Sequence, residues 1–184
     1  MDALKLTVAN LPRSWRWAVT GVYVALLYLT LPYTKGVVLS LKAMHIFPAI
    51  VTATYLAIAA VVLWLMLFLY RIRDAAAYIL MTCLAVILAY FVLGLEVPEE
   101  RVHFVQYGLL SVSMCYSLRP TLAGKALYGA TFFWTALGGI VDESLQYFIP
   151  SRVFDLRDIG FNVTAAAIGT GFCAIFRIFL VRRS

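Results

Sequence analysis

The run AAAYILMTCLAVILAYFVLGL, residues 75–95, contains no charged side chain from end to end. A helix needs about 20 mostly apolar residues to cross roughly 30 Å of hydrocarbon, and this run has that length. Five further runs of similar character occupy approximately residues 17–33, 46–70, 102–118, 126–148 and 159–181. The sequence therefore predicts an all-α fold, a polytopic membrane helix bundle with about six transmembrane helices.

The composition is that of a protein whose solvent is largely lipid. Hydrophobic residues make up 64% of the chain and charged residues only 13%, whereas soluble domains carry about 25% charged residues. Because the loops between the runs are short, residues 1–184 are predicted to form a single integral membrane domain. The net charge of +6 comes from basic residues at the ends of apolar runs, a pattern typical of anchoring among membrane lipids rather than of binding nucleic acid.

The basic residues also predict the orientation. If the N-terminus is cytoplasmic and six helices alternate, ten of the fifteen lysines and arginines lie on the cytoplasmic side, as the positive-inside rule requires. Both termini are then cytoplasmic. The first run is interpreted as a retained helix, because LPYTK at residues 31–35 offers no signal-peptide cleavage site.

The acidic residues are distributed the opposite way. Seven of the nine fall at or toward the outer face, together with His45 and His103. Acidic side chains contribute little to topology, so another cause is needed. We interpret the asymmetry as a polar site that opens outward.

Three stretches could form that site. In the fourth run, His103, Tyr107 and Ser111 share one helical stripe, with Gln106 beside it; the alternative is a histidine that only anchors at the interface. Near the end of the fifth run, Glu143 and Gln146 lie three apart and Asp142 and Gln146 four apart, so they share a face. Carboxylates in an apolar helix are costly and usually functional, unless the helix ends early and leaves them in water.

The third stretch is the loop PSRVFDLRD, residues 150–158, followed by Asn162. Asp158 and Asn162 lie four apart and can both face the bundle, although Asp158 would also suit the first turn of a helix. Arg152 and Arg157 are either ordinary loop charges or a clamp for an anion. Small residues at Ala165, Ala166, Gly169 and Thr170 predict a close approach between helices.

The residues from Glu143 to Asn162 resemble the VanZ-like family of small bacterial membrane proteins. The downstream pattern of that family is matched at Glu143, Gln146, Phe148, Pro150, Arg152, Asp158 and Asn162. Its upstream element, an acidic residue followed by His-Phe and a tyrosine, is matched at Glu99, His103, Phe104 and Tyr107. These motifs lie within residues 99–169.

The family is named for a teicoplanin-resistance protein. The resemblance therefore implies a multi-pass protein of the bacterial cytoplasmic (inner) membrane with a role in the cell envelope, linked to glycopeptides or lipids. It does not name a reaction. The residues that we predict to form the binding site are His103, Tyr107, Glu143, Gln146, Arg152, Asp158 and Asn162.

Three functions fit these residues. The first is a binding or transport protein whose pocket holds an anionic envelope lipid or glycolipid. The second is an enzyme acting on such a headgroup, with His103 or Glu143 as general base and Asp158 orienting. In the third, the polar residues only hold the helices together.

No cofactor or metal is assigned from the sequence. A metal site of His103, Glu143 and Asp158 is chemically reasonable, but these residues are scattered along the chain. The cysteines Cys83, Cys115 and Cys173 occur singly in apolar runs, which predicts packing residues rather than a metal motif or a disulfide framework.

Overall fold

The computed structural model describes residues 11–150, 152 and 154–181, and in this part of the chain it contains six α-helices and no strand. We number them α1 (Arg13–Ala43), α2 (Phe47–Trp64), α3 (Ala75–Leu93), α4 (Pro98–Leu118), α5 (Gly124–Tyr147) and α6 (Leu156–Val181). Helix α2 continues into a π-helical segment, Leu65–Leu69. The all-helical prediction is confirmed.

Four segments are long and apolar enough to cross a membrane: Arg13–Ala43, Phe47–Leu69, Ala75–Leu93 and Leu156–Ile178. Helices α4 and α5 occur where the sequence predicts the fourth and fifth spans. They fall outside this set of four, and they carry most of the buried polar residues. The described residues therefore form a helix bundle in which four segments could cross a membrane.

Helix α1 is much longer than the run at residues 17–33 that predicts it. Lys35 and Gly36 lower the hydropathy beyond residue 33 without ending the helix. Thr30, Thr34 and Ser40 donate hydrogen bonds to carbonyls of their own helix, which satisfies their hydroxyls locally. The extension matters because residues 34–41 form part of the wall of a cavity described below.

The interior of the bundle is formed by α4, α5 and α6, and the first three helices lie around it. In the 18-residue stretch of α1 that is apolar enough to cross a membrane, only 6% of the residues are buried, against 28% in the corresponding stretch of α6. Large apolar side chains such as Leu29, Tyr90 and Leu93 are exposed on α1 and α3. These faces suit contact with lipid, since lipid tails are as apolar as the side chains.

Helices α4 and α6 approach each other closely along the predicted stripe of small residues. Ala165, Ala166, Gly169 and Thr170 are all buried. A Cβ at Gly169 would lie 2.7 Å from Cβ of Ser111, and the Ser111 hydroxyl donates to the Ala166 carbonyl over 3.2 Å. The close approach brings the first turns of α4 and α6 together.

Three tyrosines attach the peripheral helices to this interior. Tyr23 and Tyr28 of α1 donate hydrogen bonds to the carbonyls of Gln106 and Gly138, at 3.0 and 2.9 Å. Tyr55 of α2 donates to the carbonyl of Arg101 over 2.6 Å. Each bond satisfies a phenol that would otherwise be unpaired in an apolar environment.

The cysteines are free thiols. Cys115 of α4 and Cys173 of α6 belong to the same apolar cluster, packed with Met114 and Leu127.

Candidate functional site

The centre of the site is a chain of hydrogen bonds between α4, α6 and α5. His103 Nδ1 lies 2.9 Å from Asn162 Oδ1, and Asn162 Nδ2 donates to the Gly139 carbonyl over 3.2 Å. A backbone carbonyl can only accept, so the amide group of Asn162 must point toward Gly139 and its oxygen toward His103. Neutral His103 therefore carries its proton on Nδ1, and its Nε2 presents a lone pair.

Gly139 makes this arrangement possible. Asn162 is fully buried, and a Cβ at residue 139 would lie 2.5 Å from Asn162 Cβ. Without a side chain at this position, α5 allows the asparagine amide to reach its backbone. The amide then fixes the imidazole of His103.

Two carboxylates lie on α5 next to this chain. Glu143 is fully buried and Asp142 nearly so. Gln146 Nε2 donates to Glu143 Oε1 at 2.8 Å and, more weakly, to Asp142 Oδ2 at 3.4 Å. Glu143 Oε2 makes no hydrogen bond with any described residue, although the backbone of Asp155 lies close to this carboxylate. A buried carboxylate oxygen in this state is energetically unfavourable, because its desolvation is not compensated.

Asp158 completes the acidic side of the site from the first turn of α6. Its Oδ2 lies 3.8 Å from His103 Nε2, which is too long for a hydrogen bond. One ligand atom from each of His103, Glu143 and Asp158 lies within 4.8 Å of the other two. These are the described residues that could hold a metal ion.

Arg152 brings a positive charge to the acidic residues of the site. Its charge acts on His103, Asp142, Glu143 and Asp158, so the guanidinium lies near all four. Arg152 nevertheless forms no ion pair with a described carboxylate, and its buried Nε has no hydrogen-bond partner among the residues that the structure describes. An arginine so placed has donors available for an anion.

A cavity of about 840 Å³ opens at this cluster. One wall is polar and includes His103, Asp142, Gln146, Arg152 and Asp158. The other wall is the later half of α1, which is mainly apolar and also includes Lys35. Its apolar side chains are Leu27, Leu31, Val37, Val38 and Leu41. The cavity therefore offers a polar end and an apolar side to the same ligand.

Ion pairs lie at the mouth of the cavity. Lys42 at the end of α1 pairs with Glu99 in the first turn of α4, and Arg157 lies 3.7 Å from Glu100. Glu100 precedes the apolar part of α4. Partial burial raises the pKa of its carboxyl above the ordinary value, and the charge of Arg157 opposes that shift.

The structure brings six of the seven residues proposed from the sequence into this cluster: His103, Glu143, Gln146, Arg152, Asp158 and Asn162. The seventh, Tyr107, is buried one turn below His103, and the two rings stack with centroids 6.5 Å apart. Its hydroxyl lies near Asp142, and Tyr107 does not line the cavity.

Asp142 belongs to the site, although it was not among the seven binding residues proposed from the sequence. The available signal was its spacing of four residues from Gln146, which places both on one helical face. Gly139 and the apolar wall of α1 had no comparable signal, since their roles depend on which helices meet.

Searches against models of known protein families, curated proteins and solved structures give no match to this chain.

Proposed function

We propose that this chain crosses the bacterial cytoplasmic membrane six times and binds an anionic envelope lipid or glycolipid in a pocket that opens outward. In this topology both termini are cytoplasmic, and α4 and α5 span the bilayer with the other four helices. The distribution of basic residues supports it, with Lys5, Arg182 and Arg183 of that count lying outside the described residues. The resemblance to VanZ-like proteins extends the proposal to glycopeptide susceptibility.

The observation that carries the proposal is Arg152. A guanidinium forks two parallel hydrogen bonds to a phosphate or carboxylate, and here it lines the cavity without an ion-pair partner among the described residues. A purely structural arginine would be expected to pair with one of the acids beside it. An anionic headgroup would supply the missing partner.

The shape of the cavity supports an amphiphile in particular. The polar wall would hold a headgroup, and the apolar wall of α1 would lie along an acyl or isoprenoid chain. Helix α1 is the least buried of the candidate spans, which leaves this side accessible from lipid.

Lipid binding can be tested with the variant Arg152→Lys, because an ammonium keeps the charge but loses the fork. Native mass spectrometry would measure bound phosphatidylglycerol, with phosphatidylcholine as the neutral comparison. We expect selective binding of the anionic lipid, weakened about tenfold (about 1.4 kcal/mol) in the variant. Arg157→Lys is the matched control, because that side chain is exposed on the rim.

Two results would contradict the proposal. One is wild-type binding and wild-type teicoplanin susceptibility in Arg152→Ala at an unchanged protein level. The other is poor expression of Arg152→Lys that Glu143→Gln restores, because an internal carboxylate would then be the partner.

The topology has its own test. A reporter fused after Ser184, a residue outside the described part of the chain, should read cytoplasmic. A reporter inserted near Glu99 should read external. A C-terminal reporter on the external side would overturn both the topology and the outward pocket.

A second function, catalysis on the headgroup, is favoured by His103. Its Nε2 lone pair lies beside Asp158 and Glu143, as a general base requires. Incubation with an envelope-lipid extract, followed by mass spectrometry, should then yield a product that His103→Asn and Glu143→Gln do not form. If the wild-type protein leaves the lipid unchanged, catalysis is contradicted and binding is the function that remains.

A further inference from the structure

We infer that His103, Glu143 and Asp158 bind a divalent transition-metal ion of the Zn²⁺ class, with an open coordination position toward the cavity. The ion would bind without any lipid, so the inference goes beyond the lipid-binding function. Only its contact with a headgroup rests on that proposal.

The histidine is prepared as a metal ligand. Metal-binding imidazoles commonly donate their other N–H to a carbonyl or carboxylate, which fixes the tautomer and the ring plane. Asn162 Oδ1 accepts from His103 Nδ1 in this way, and Gly139 holds the asparagine. The remaining nitrogen, Nε2, points to the side of Asp158.

The distances are close to those of a coordination sphere. Ligand atoms at about 2.0–2.2 Å from a tetrahedral zinc ion lie roughly 3.4 Å from one another. His103 Nε2 and Asp158 Oδ2 are 3.8 Å apart, and all three ligand atoms lie within 4.8 Å. Side-chain adjustment would have to bring these three atoms closer together to reach the tetrahedral spacing.

Glu143 itself indicates a missing ligand. The residue is fully buried, and its Oε2 has no hydrogen-bond partner among the described residues, although the Asp155 backbone lies close to the carboxylate. Asp158 Oδ1 is likewise without a partner. Buried polar atoms in native proteins are normally satisfied, and a cation would compensate these oxygens.

The negative charge of the cluster also favours a bound cation. The carboxylates of Asp142, Glu143 and Asp158 all lie near the guanidinium of Arg152, and the charge of Arg157 also acts on Asp158. A divalent ion would offset the negative charge that remains when all three carboxylates are ionised. Asp142 would act through Gln146, which hydrogen-bonds both carboxylates of α5.

The donor set selects the class of metal. One imidazole and two carboxylates suit zinc and neighbouring first-row ions better than Ca²⁺ or Mg²⁺, which prefer oxygen ligands alone. Three protein ligands leave a fourth position for water or substrate, as in open zinc sites. Since His103 and Asp158 line the cavity and Glu143 does not, the open position faces the cavity.

The rival explanation is an ion pair between protonated His103 and Asp158. It leaves Glu143 Oε2 without a partner, and its atoms are 3.8 Å apart. It also predicts no stoichiometric binding of a metal, so the two explanations separate experimentally.

The test uses the full chain, purified in detergent without a histidine tag and stripped with a chelator. Calorimetric titration with Zn²⁺ should show one site, and Co²⁺ should give the visible absorption of a tetrahedral N/O complex. His103→Asn and Glu143→Gln should lower the affinity at least about 100-fold, and Asn162→Ala about 10- to 100-fold. The matched controls His45→Asn and Glu96→Gln change exposed residues outside the cluster and should bind as the wild type does.

The wild-type protein alone can overturn the inference, whatever the variants do to folding. Absence of a one-site titration and of the Co²⁺ spectrum would contradict it, as would equal binding by folded His103→Asn. Arg152→Lys should bind Zn²⁺ as the wild type does, while its binding of anionic lipid weakens. If the wild-type protein binds Zn²⁺ but shows no preference for anionic lipid, the proposed function is refuted and the metal site is not.

Discussion

Two polar clusters lie inside this bundle, and they satisfy their hydrogen bonds very differently. The hydroxyl cluster consists of Thr20, Ser113 and Ser117 between α1 and α4. Thr20 Oγ1 lies 2.6 Å from Ser113 Oγ and 2.9 Å from Ser117 Oγ, and Ser117 donates to the Arg16 carbonyl. The pocket cluster consists of His103, Asp142, Glu143, Gln146, Arg152, Asp158 and Asn162, and several of its buried atoms have no partner in the described part of the chain.

The difference indicates which cluster holds helices together and which one is suited to binding a ligand. Small hydroxyls that bond to each other and to carbonyls join two membrane helices without leaving a charge in lipid. Ionisable groups with unused bonding capacity are destabilising unless a ligand completes them. We therefore assign the hydroxyl cluster to packing and the pocket cluster to binding.

The largest expected effect comes from removing the space that supports the pocket cluster. In Gly139→Ala the new Cβ would lie 2.5 Å from Asn162 Cβ and 3.2 Å from its Cγ. Overpacking of this kind costs about 1–3 kcal/mol, and we expect that loss in SDS-induced unfolding, together with weaker Zn²⁺ binding. Gly129→Ala on the same helix meets nothing within 4 Å and should lose neither. Equal behaviour of the two variants would show that Gly139 does not position Asn162.

Replacing Glu143 should change stability in the opposite direction. Glu143→Gln removes a buried charge but keeps an oxygen to accept from Gln146. In metal-free detergent at neutral pH we expect the free energy of unfolding to rise by about 1 kcal/mol, because a buried negative charge is removed. The exposed control Glu96→Gln should show no change. A clear loss of stability in Glu143→Gln would mean that this carboxylate contributes to cohesion, and the contrast between the clusters would fail.

The hydroxyl cluster gives the complementary result. Thr20→Val keeps the shape and removes the bonds to Ser113 and Ser117. Hydrogen bonds between membrane helices contribute about 0.6 kcal/mol on average and up to about 1.7, so we expect a loss in that range with normal lipid and Zn²⁺ binding. Thr52→Val is the control, since that hydroxyl bonds only within its own helix. Reduced ligand binding in Thr20→Val would show that the two clusters are coupled through α4.

Part of this comparison could be predicted from the sequence alone. Apolar runs located all six helices, because a membrane requires nearly continuous hydrophobicity. Helical spacing placed Glu143 with Gln146 and Asp158 near Asn162, because residues three and four apart share a face. These inferences are local, and each depends on a single helix.

What the sequence could not supply depends on how helices meet. The hydrogen bond from Asn162 to Gly139 joins α6 to α5, and no spacing within one helix indicates it. The length of α1 was also underestimated, because the polar residues beyond Tyr33 lower hydropathy while the backbone remains helical. The wall of the cavity was missed for that reason.

The smallest expected effect concerns the ion pair between Lys42 and Glu99, which belongs to neither cluster. It joins the end of α1 to the start of α4 at the mouth of the cavity, and its side chains are 40% and 34% exposed. Exposed pairs contribute about 0–1 kcal/mol and are screened by salt. A double-mutant cycle with Lys42→Gln and Glu99→Gln should therefore give a small coupling energy that vanishes at high salt. A larger, salt-independent coupling would show that this pair fixes α1 against the pocket, in which case lipid binding should fall in Lys42→Gln as it does in Arg152→Lys.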